Sequence, residues 1–198
     1  GVNVDLQSDA MLNAVTSQSS ARLARAWQIG ERLEKEGIWD AFAGAGQFAT
    51  GGDIGRRHFA RYLVEIGQVD SINMAFKKYL GDGKAGDVKQ HWADLRQVIQ
   101  WIRDANGVAV LAHPLKYKLT RTRLKRLLED FTGSGGQGME VISGQQLPQM
   151  TSEMAKLCVS YQLLASCGSD FHMPDRRWAE LGGFPALPSS VTPVWDRF

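Results

Sequence analysis

The chain has 198 residues, of which 43% are hydrophobic and 22% charged, and its net charge at pH 7 is +2. This length and apolar content suffice for one folded domain, or for one domain that carries an insertion. The charge is too small to indicate nucleic-acid binding by itself, so DNA is not an expected partner, and any nucleotide or RNA site must come from local clusters. No apolar run is long enough to cross a membrane, so no membrane partner is expected.

The cysteines and the first residues give weaker information. Cys158 and Cys167 are not in a CxxC motif and do not indicate a disulfide framework, so a cytoplasmic location is expected. The chain begins at Gly1 with GVNVD, which is typical of a strand, and no basic leader or cleavage signal precedes it. Such an opening is typical of the middle of a fold.

The first half of the chain has the pattern of helices. A long helix is predicted from Ser8, a candidate N-cap, to Gly37, because apolar residues recur at helical spacing between them. Three shorter helices, separated by glycine-rich turns, are predicted at 39–49, 56–67 and 71–80. No strand pattern occurs between Gly37 and Lys89.

In the second half, helix and strand patterns alternate strictly. Helices are predicted at 95–107, 120–131 and 149–162, and strands at 108–114, 138–143 and 163–170. The predicted strands are rich in Val, Leu and Ala without polar alternation, which is typical of parallel strands buried on both faces. This half is therefore predicted to be α/β, either part of a barrel or part of an open sheet.

Polar residues are placed at informative points of these strands. His113 ends VAVLA, Glu140 lies inside GMEVIS, and Asp170 and His172 follow LLASCGS. Ligands gather at the carboxyl edge of parallel strands, and a carboxylate and an imidazole two residues apart can share a metal ion. The alternative is that each strand simply leaves the core at a turn. Histidines at two strand ends favour a metal or acid/base site.

Five segments together resemble one family. They are RRHFARYLVEIG, AFKKYLGDGKAGDV, VAVLAHP, GMEV and CGSDFH. They resemble the PHP (polymerase and histidinol phosphatase) superfamily, and within it the TrpH/YciV-type branch of 5′-to-3′ exoribonucleases and nucleoside 3′,5′-bisphosphate phosphatases. The resemblance covers essentially the whole chain. It implies a distorted seven-stranded (β/α) barrel that holds two or three divalent ions, with an α-helical insertion as a cap over the substrate.

The resemblance also implies domain boundaries. Residues 1–37 are expected to form a barrel strand and a long helix, residues 38–92 the helical cap, and residues 93–198 the C-terminal part of the barrel. Family members have an HxH strand and further metal-binding motifs before the strand that matches GVNVD, and this sequence lacks them. We therefore expect a missing N-terminal segment to complete the barrel. The 198 residues alone are expected to bind at most one ion weakly and to show negligible activity.

By the same resemblance, His113, Asp170 and His172 are expected to be metal ligands and catalytic residues. Asp170 would be a bridging or terminal carboxylate, and the two histidines neutral imidazole ligands. Mixed nitrogen and oxygen donors fit Mn²⁺, the expected ion, with Mg²⁺, Zn²⁺ or Fe²⁺ as alternatives. The ions would lower the pKa of a bridging water and neutralise charge on the phosphoryl group. Glu140 is expected either to support the ligands or to be purely structural.

A second set of residues is expected to bind substrate phosphate. Arg56 and His58 lie at the N-terminus of a predicted helix, where backbone N–H groups and a guanidinium fork suit an anion, and the family usually has Arg and His there. Lys84 lies in a glycine-rich loop. Lys116, in AHPLKY, stands where relatives commonly have Arg, so it keeps the charge and loses the bidentate fork.

Two classes of function remain open at this point. The first is a phosphoesterase that uses metal-activated water on the 5′ end of short RNA or on small 3′,5′-bisphosphonucleotides. The second is a noncatalytic protein that binds a nucleotide or a partner, because half of the metal site is missing from the sequence. Metal content separates them, since an intact site should purify with more than one transition-metal ion per chain.

Overall fold

A computed structural model describes residues 1–89, 92–171 and 180–198. Helices and a parallel sheet make up these residues, so the predicted α/β class is confirmed. The α-helices are α1 (Asp9–Lys35), α2 (Ala41–Gly46), α3 (Arg56–Glu65), α4 (Ile72–Ala75), α5 (Leu95–Asp104), α6 (Arg121–Gly133) and α7 (Pro148–Ser160). The strands are β1 (Val110–Leu111), β2 (Gly138–Ser143) and β3 (Leu164–Gly168). A π-helix covers Phe76–Leu80, and short 3₁₀ helices cover Pro114–Tyr117 and Val194–Arg197.

The chain divides into two compact units. The sheet unit comprises Gly1–Leu12 and Asp94–Phe198, and the helical unit comprises Asn13–Ala93. Most of α1 therefore groups with the shorter helices. The division into a barrel strand with a long helix (1–37), a cap (38–92) and the C-terminal part of the barrel (93–198) stays a prediction.

The sheet unit is built on three parallel strands in the order β1-β2-β3. The middle strand is buried on both faces, since Met139, Val141 and Ile142 are all at most 1% exposed. They share one core with Leu128 of α6 and Cys158 of α7. Burial on both faces explains why this strand has a continuous apolar sequence without polar alternation.

Two of the predicted strands are much shorter than the sequence indicates, and β3 is slightly shorter than the predicted 163–170. Only Val110 and Leu111 pair with β2, because His113 has φ 33° and ψ 55° and leads into a 3₁₀ helix, which ends the extended backbone expected over 108–114. The expected strand at GVNVD is reduced to one antiparallel bridge between Val2 and Val108. The strand predicted over 108–114 is therefore too long, whereas the barrel strand expected within residues 1–37 stays a prediction.

The helical unit has a core of its own. Leu33, Phe59, Leu63 and Leu80 are fully buried in it. Helices α2 and α3 come close together at Gly44, where an added Cβ would lie 2.1 Å from the ring of Tyr62. A glycine is therefore required at this crossing, and the described residues of this unit form no strand.

The longest helix, α1, begins and ends as the sequence predicts. Asp9 lies in its first turn, and Arg32 and Lys35 lie in its last turn, where these charges favour the helix dipole. Gly37 follows with φ 82°, a conformation that glycine adopts without strain. Neither α1 nor another helix in the described ranges is both long and apolar enough to span a membrane.

Candidate metal and phosphate site

The carboxyl ends of the parallel strands bring several polar residues to one edge of the sheet, here called the rim. His113 follows β1, Ser143 is the last residue of β2, and Asp170 follows β3. Parallel strands end at a common edge, and this is where α/β proteins bind ligands. The placement of His113 and Asp170 at one edge agrees with the sequence pattern. His172, the third predicted ligand, lies outside the described residues.

His113 is held in an unusual backbone conformation and has an unused ring nitrogen. Its φ of 33° is in the left-handed region, and its N–H donates to Oε2 of Glu140 at 2.5 Å. Its ring packs edge-on against Tyr117, with centroids 5.6 Å apart. Nδ1 of His113 is buried, and no described residue hydrogen-bonds to it. An unsatisfied buried polar atom costs about 1–3 kcal/mol, which binding of a metal ion or a proton donor would recover.

Asp170 is also in the left-handed region, with φ 51°, and its carboxylate accepts a hydrogen bond from the ammonium of Lys116. Lys116 belongs to the 3₁₀ helix that follows His113, so this ion pair joins the loop after β1 to the loop after β3. The side chains are 47% (Lys116) and 22% (Asp170) exposed. Exposed ion pairs contribute about 0–1 kcal/mol, so this pair can open at little cost.

Glu140 lies in β2 between the two loops. Besides accepting from His113, it faces Gly168 of β3, where an added Cβ would lie 3.2 Å from Oε1. The ladder between β2 and β3 shifts register just after Glu140. Burial raises the pKa of Tyr117 and of Cys167, and the nearby negative charge of Glu140 raises both further. The sequence pattern did not show that this carboxylate contacts the His113 backbone.

Ser143 is a rim residue that the sequence pattern did not single out. It is 8% exposed, and its hydroxyl is buried without a hydrogen-bond partner in the described structure. Its backbone N–H donates to the side-chain oxygen of Gln146 at 3.1 Å. A polar residue that ends a buried strand was the available signal. Among the described residues, two buried polar atoms at the rim have no hydrogen-bond partner, one on Ser143 and one on His113.

The donor chemistry of the rim fits a divalent ion, although the described residues do not complete a site. His113 can supply an imidazole nitrogen and Asp170 a carboxylate, and both donor types bind Mn²⁺, Zn²⁺ and Fe²⁺. Within residues 1–89, 92–171 and 180–198, no three His, Cys, Asp or Glu side chains are grouped to hold a metal. An ion with four or more ligands needs further donors.

In the helical unit, Arg56 and His58 are both engaged with backbone atoms. Arg56 begins α3, and its guanidinium donates to the carbonyl oxygen of Leu80 at 3.3 Å. Nδ1 of His58 accepts the N–H of Gly55 at 3.0 Å, which caps the helix. Because Nδ1 is the acceptor, Nε2 carries the proton of the neutral ring and can donate to an anion. Both residues keep unused donors for a phosphate.

Lys84 lies on a tightly closed loop. Its N–H donates to the carbonyl of Gly81 at 3.0 Å, and its own carbonyl accepts from Asp87 at 2.9 Å. The carboxylate of Asp87 accepts the N–H of Gly83 at 2.9 Å. The side chain of Lys84 is exposed, so its charge is presented to solvent on an ordered backbone.

Two arginines of α1 donate to backbone carbonyls at the C-terminal end of this loop. Arg25 donates to the carbonyl of Val88 at 2.8 Å, and Arg32 donates to the carbonyl of Asp87 at 3.1 Å. Burial and repulsion by Arg56 lower the pKa of Arg25, with the charge of Asp87 acting in the opposite sense. No local sequence pattern predicts these contacts, which join residues 63 and 55 positions apart in the chain.

A groove of about 730 Å³ lies elsewhere in the sheet unit. It runs between α7 and the segment 185–190 and is lined by Thr151, Ala155, Val159 and Pro188, among others. None of the described candidate site residues lines this groove.

Curated relatives match nearly the whole chain. A 5′-3′ exoribonuclease of Haemophilus influenzae is 42% identical over 198 residues, which are 100% of this chain and 72% of the relative. The 5′-3′ exoribonuclease Rnm of Salmonella typhimurium is 44% identical over 100% of this chain and 67% of its own length. A 3′,5′-nucleoside bisphosphate phosphatase of Chromobacterium violaceum is 39% identical over 98% of this chain and 69% of its own length.

Solved structures show the same fold. An amidohydrolase from Chromobacterium violaceum, solved with bound sulfate and no metal, matches with a TM-score of 0.78 and 38% identity, over 98% of this chain and 68% of that one. A protein from Bifidobacterium adolescentis matches with a TM-score of 0.67 and 23% identity, over 96% of this chain and 65% of that one. No profile of a known protein family matches. Identities of 39% to 44% with the curated relatives confirm the resemblance seen in the motifs, and the chain belongs to the PHP-superfamily branch of phosphoesterases that contains these exoribonucleases and the bisphosphate phosphatase.

Proposed function

We propose that this protein is a divalent-metal-dependent phosphoesterase that hydrolyses phosphate esters of nucleotides, either 3′,5′-bisphosphonucleotides or the 5′ ends of short RNA. The observation that carries this proposal is the identity of 39% to 44%, over nearly the whole chain, with enzymes named for these two activities. The position of His113 and Asp170 at the carboxyl edge of the sheet supports it.

Metal binding is proposed at the rim. Divalent ions would supply a water of lowered pKa and would neutralise charge on the phosphoryl group. His113, whose Nδ1 has no described partner, and Asp170 would hold them, with His172 as a further ligand predicted from the sequence. Mn²⁺ is the proposed ion, in a set of two or three, and Mg²⁺, Zn²⁺ or Fe²⁺ are the alternatives.

Phosphate binding is proposed for residues of both units. Lys116 keeps a positive charge beside Asp170, and its ammonium can pass from the carboxylate to a phosphate oxygen because the ion pair is weak. Arg56, His58 and Lys84 are proposed to bind the phosphate that is not cut, with the helical unit as a cap and the sheet unit as part of the barrel. A 3′,5′-bisphosphonucleotide and an RNA strand both carry such a second phosphate.

The cellular setting stays a proposal. Cys158 and Cys167 are both free thiols, which is consistent with the cytoplasmic location that we propose. The further N-terminal segment expected from the motifs also stays a prediction.

The proposal is tested by assaying the intact protein with adenosine 3′,5′-bisphosphate and with a short 5′-phosphorylated RNA, in EDTA and in each candidate metal. We expect metal-dependent release of phosphate or of mononucleotides, and the faster substrate identifies the natural class. Binding of both substrates without hydrolysis in any metal would overturn the proposal and support the noncatalytic alternative.

A further inference from the structure

We infer that Glu140 is a positioning residue of the rim, which fixes the His113 backbone by accepting its N–H, a role that rests on the proposed function. Glu140 would act through His113 and would not itself touch the substrate. The sequence alone left open whether this carboxylate supports the ligands or is merely structural.

The first observation is that Glu140 hydrogen-bonds to His113 where the His113 backbone is strained. His113 has φ 33° and ψ 55°, a left-handed conformation that is costly for a residue with a Cβ and persists only where its surroundings enforce it. The N–H of this residue donates to Oε2 of Glu140 at 2.5 Å. A hydrogen bond to an ionised carboxylate is about twice as strong as one between neutral groups, so this contact can enforce the conformation.

The second observation is that Glu140 is itself fixed. It lies on the central strand between Met139 and Val141, which are at most 1% exposed. Its other oxygen faces Gly168, where the Cβ of any larger residue would lie 3.2 Å from Oε1. Glycine at 168 therefore leaves room for the carboxylate, which spans from β3 to the loop after β1.

The third observation is the unused nitrogen of His113. Its Nδ1 is buried without a described partner, while its backbone N–H is taken by Glu140. The carboxylate thus contacts the main chain and leaves the ring nitrogen available. This arrangement orients a ligand without competing for its donor atom, as residues that support metal ligands do.

The test compares Glu140→Met and Glu140→Gln with wild type, and uses Glu153→Gln, an exposed glutamate on α7, as the matched control. Calorimetry with Mn²⁺ gives the dissociation constant, steady-state kinetics give kcat and KM, and thermal unfolding reports stability. We expect the Mn²⁺ dissociation constant to rise about 10- to 100-fold in Glu140→Met with KM for substrate unchanged. Glu140→Gln should lose less affinity for Mn²⁺, because its amide oxygen can accept the His113 N–H. Glu153→Gln should bind Mn²⁺ as wild type does.

Gly168→Ala supplies an independent variant, because its methyl group would press on the Glu140 carboxylate. It should weaken Mn²⁺ binding in the wild-type background and have a smaller effect in the Glu140→Met background, since interacting residues are not additive. If Glu140→Met does not fold, Glu140→Gln and Gly168→Ala decide the question.

The outcomes separate this inference from the proposed function. A wild-type protein that hydrolyses phosphate esters with Mn²⁺, together with Glu140 variants that bind Mn²⁺ as tightly as wild type, would overturn the role of Glu140 alone. A wild-type protein that neither binds Mn²⁺ nor hydrolyses its substrates would overturn the proposed function and the role of Glu140 with it.

Discussion

The sheet unit and the helical unit use their polar residues in different ways. At the rim of the sheet unit, Nδ1 of His113 and the hydroxyl of Ser143 are buried without described partners. In the helical unit, Arg56 and His58 are each hydrogen-bonded to the backbone, Arg56 to Leu80 and His58 to Gly55, and both keep further donors. We therefore expect the buried rim atoms to act in ligand binding alone, and the bonded arginine and histidine to stabilise the fold as well as to bind a ligand.

This difference predicts how the two units respond to substitution. We expect changes at the rim to reduce activity strongly and stability little, because the proposed ligands His113 and Asp170 do not belong to the apolar core. Changes in the helical unit should reduce stability, or should weaken substrate binding by moderate factors.

The largest effect on activity is expected for Asp170→Asn. The loss of this proposed metal ligand should lower kcat at saturating Mn²⁺ at least about 100-fold, with little change in the unfolding midpoint. His172→Ala is expected to behave in the same way on the basis of the sequence. Phosphate release from adenosine 3′,5′-bisphosphate measures both. Asp104→Asn, an exposed acid on α5, is the control, and turnover like that of wild type in Asp170→Asn would contradict the assignment.

The largest effect on stability is expected for Gly44→Ala in the helical unit. The new methyl group would lie 2.1 Å from the Tyr62 ring, so α2 and α3 must separate, at a cost of about 1–3 kcal/mol. Urea unfolding monitored by circular dichroism measures this cost. Gly52→Ala is the control, because no atom lies within 4 Å of its added Cβ. Equal stability of the two variants would show that the helices do not pack as described.

Substitutions of Lys116 test whether its positive charge at the rim helps to bind the substrate phosphate. Lys116→Met should lower kcat/KM about tenfold, close to 1.4 kcal/mol, because the charge beside Asp170 is lost. Lys116→Arg should retain most activity because it keeps the charge and adds a bidentate fork. The control is Lys125→Met, an exposed lysine on α6. An unchanged rate in Lys116→Met would remove this residue from the phosphate site.

The smallest effects are expected for Arg56→Ala and Lys84→Ala. Each should raise KM a few-fold for 3′,5′-bisphosphates and less for a simple aryl phosphate, which lacks the second phosphate. Arg56→Ala should also lose about 1 kcal/mol of stability with its bond to Leu80, whereas Lys84→Ala should not. Lys78→Ala, an exposed lysine of the π-helix, is the control. An equal rise in KM for the bisphosphate and for the aryl phosphate would argue against a phosphate pocket in this unit.

The sequence predicted the parts of the site that depend on local pattern. Buried parallel strands have continuous apolar sequences, so β2 and β3 could be recognised, and the residues that follow β1 and β3 had to lie at one edge. This reasoning placed His113 and Asp170. The capping contact of His58 could also be predicted from the sequence, because His58 lies three residues after the N-cap Gly55.

The remaining contacts depend on how strands and loops meet in three dimensions. Lys116 and Asp170 form their ion pair across 54 residues of sequence, and Glu140 reaches His113 across 27 residues. Both contacts require the register between β1, β2 and β3, including the shift after Glu140, which no local pattern specifies. The short length of β1 follows from the left-handed conformation of His113, which residue type alone does not reveal.

The proposed function depends above all on binding of a divalent ion at the rim through His113. The most direct measurement is Mn²⁺ titration by calorimetry of the intact wild-type protein and of His113→Asn, a substitution that tolerates the left-handed backbone and removes the imidazole. We expect wild type to bind Mn²⁺, and His113→Asn to bind it at least about 100-fold more weakly while unfolding at the same temperature. Equal Mn²⁺ affinity of the two proteins would contradict it.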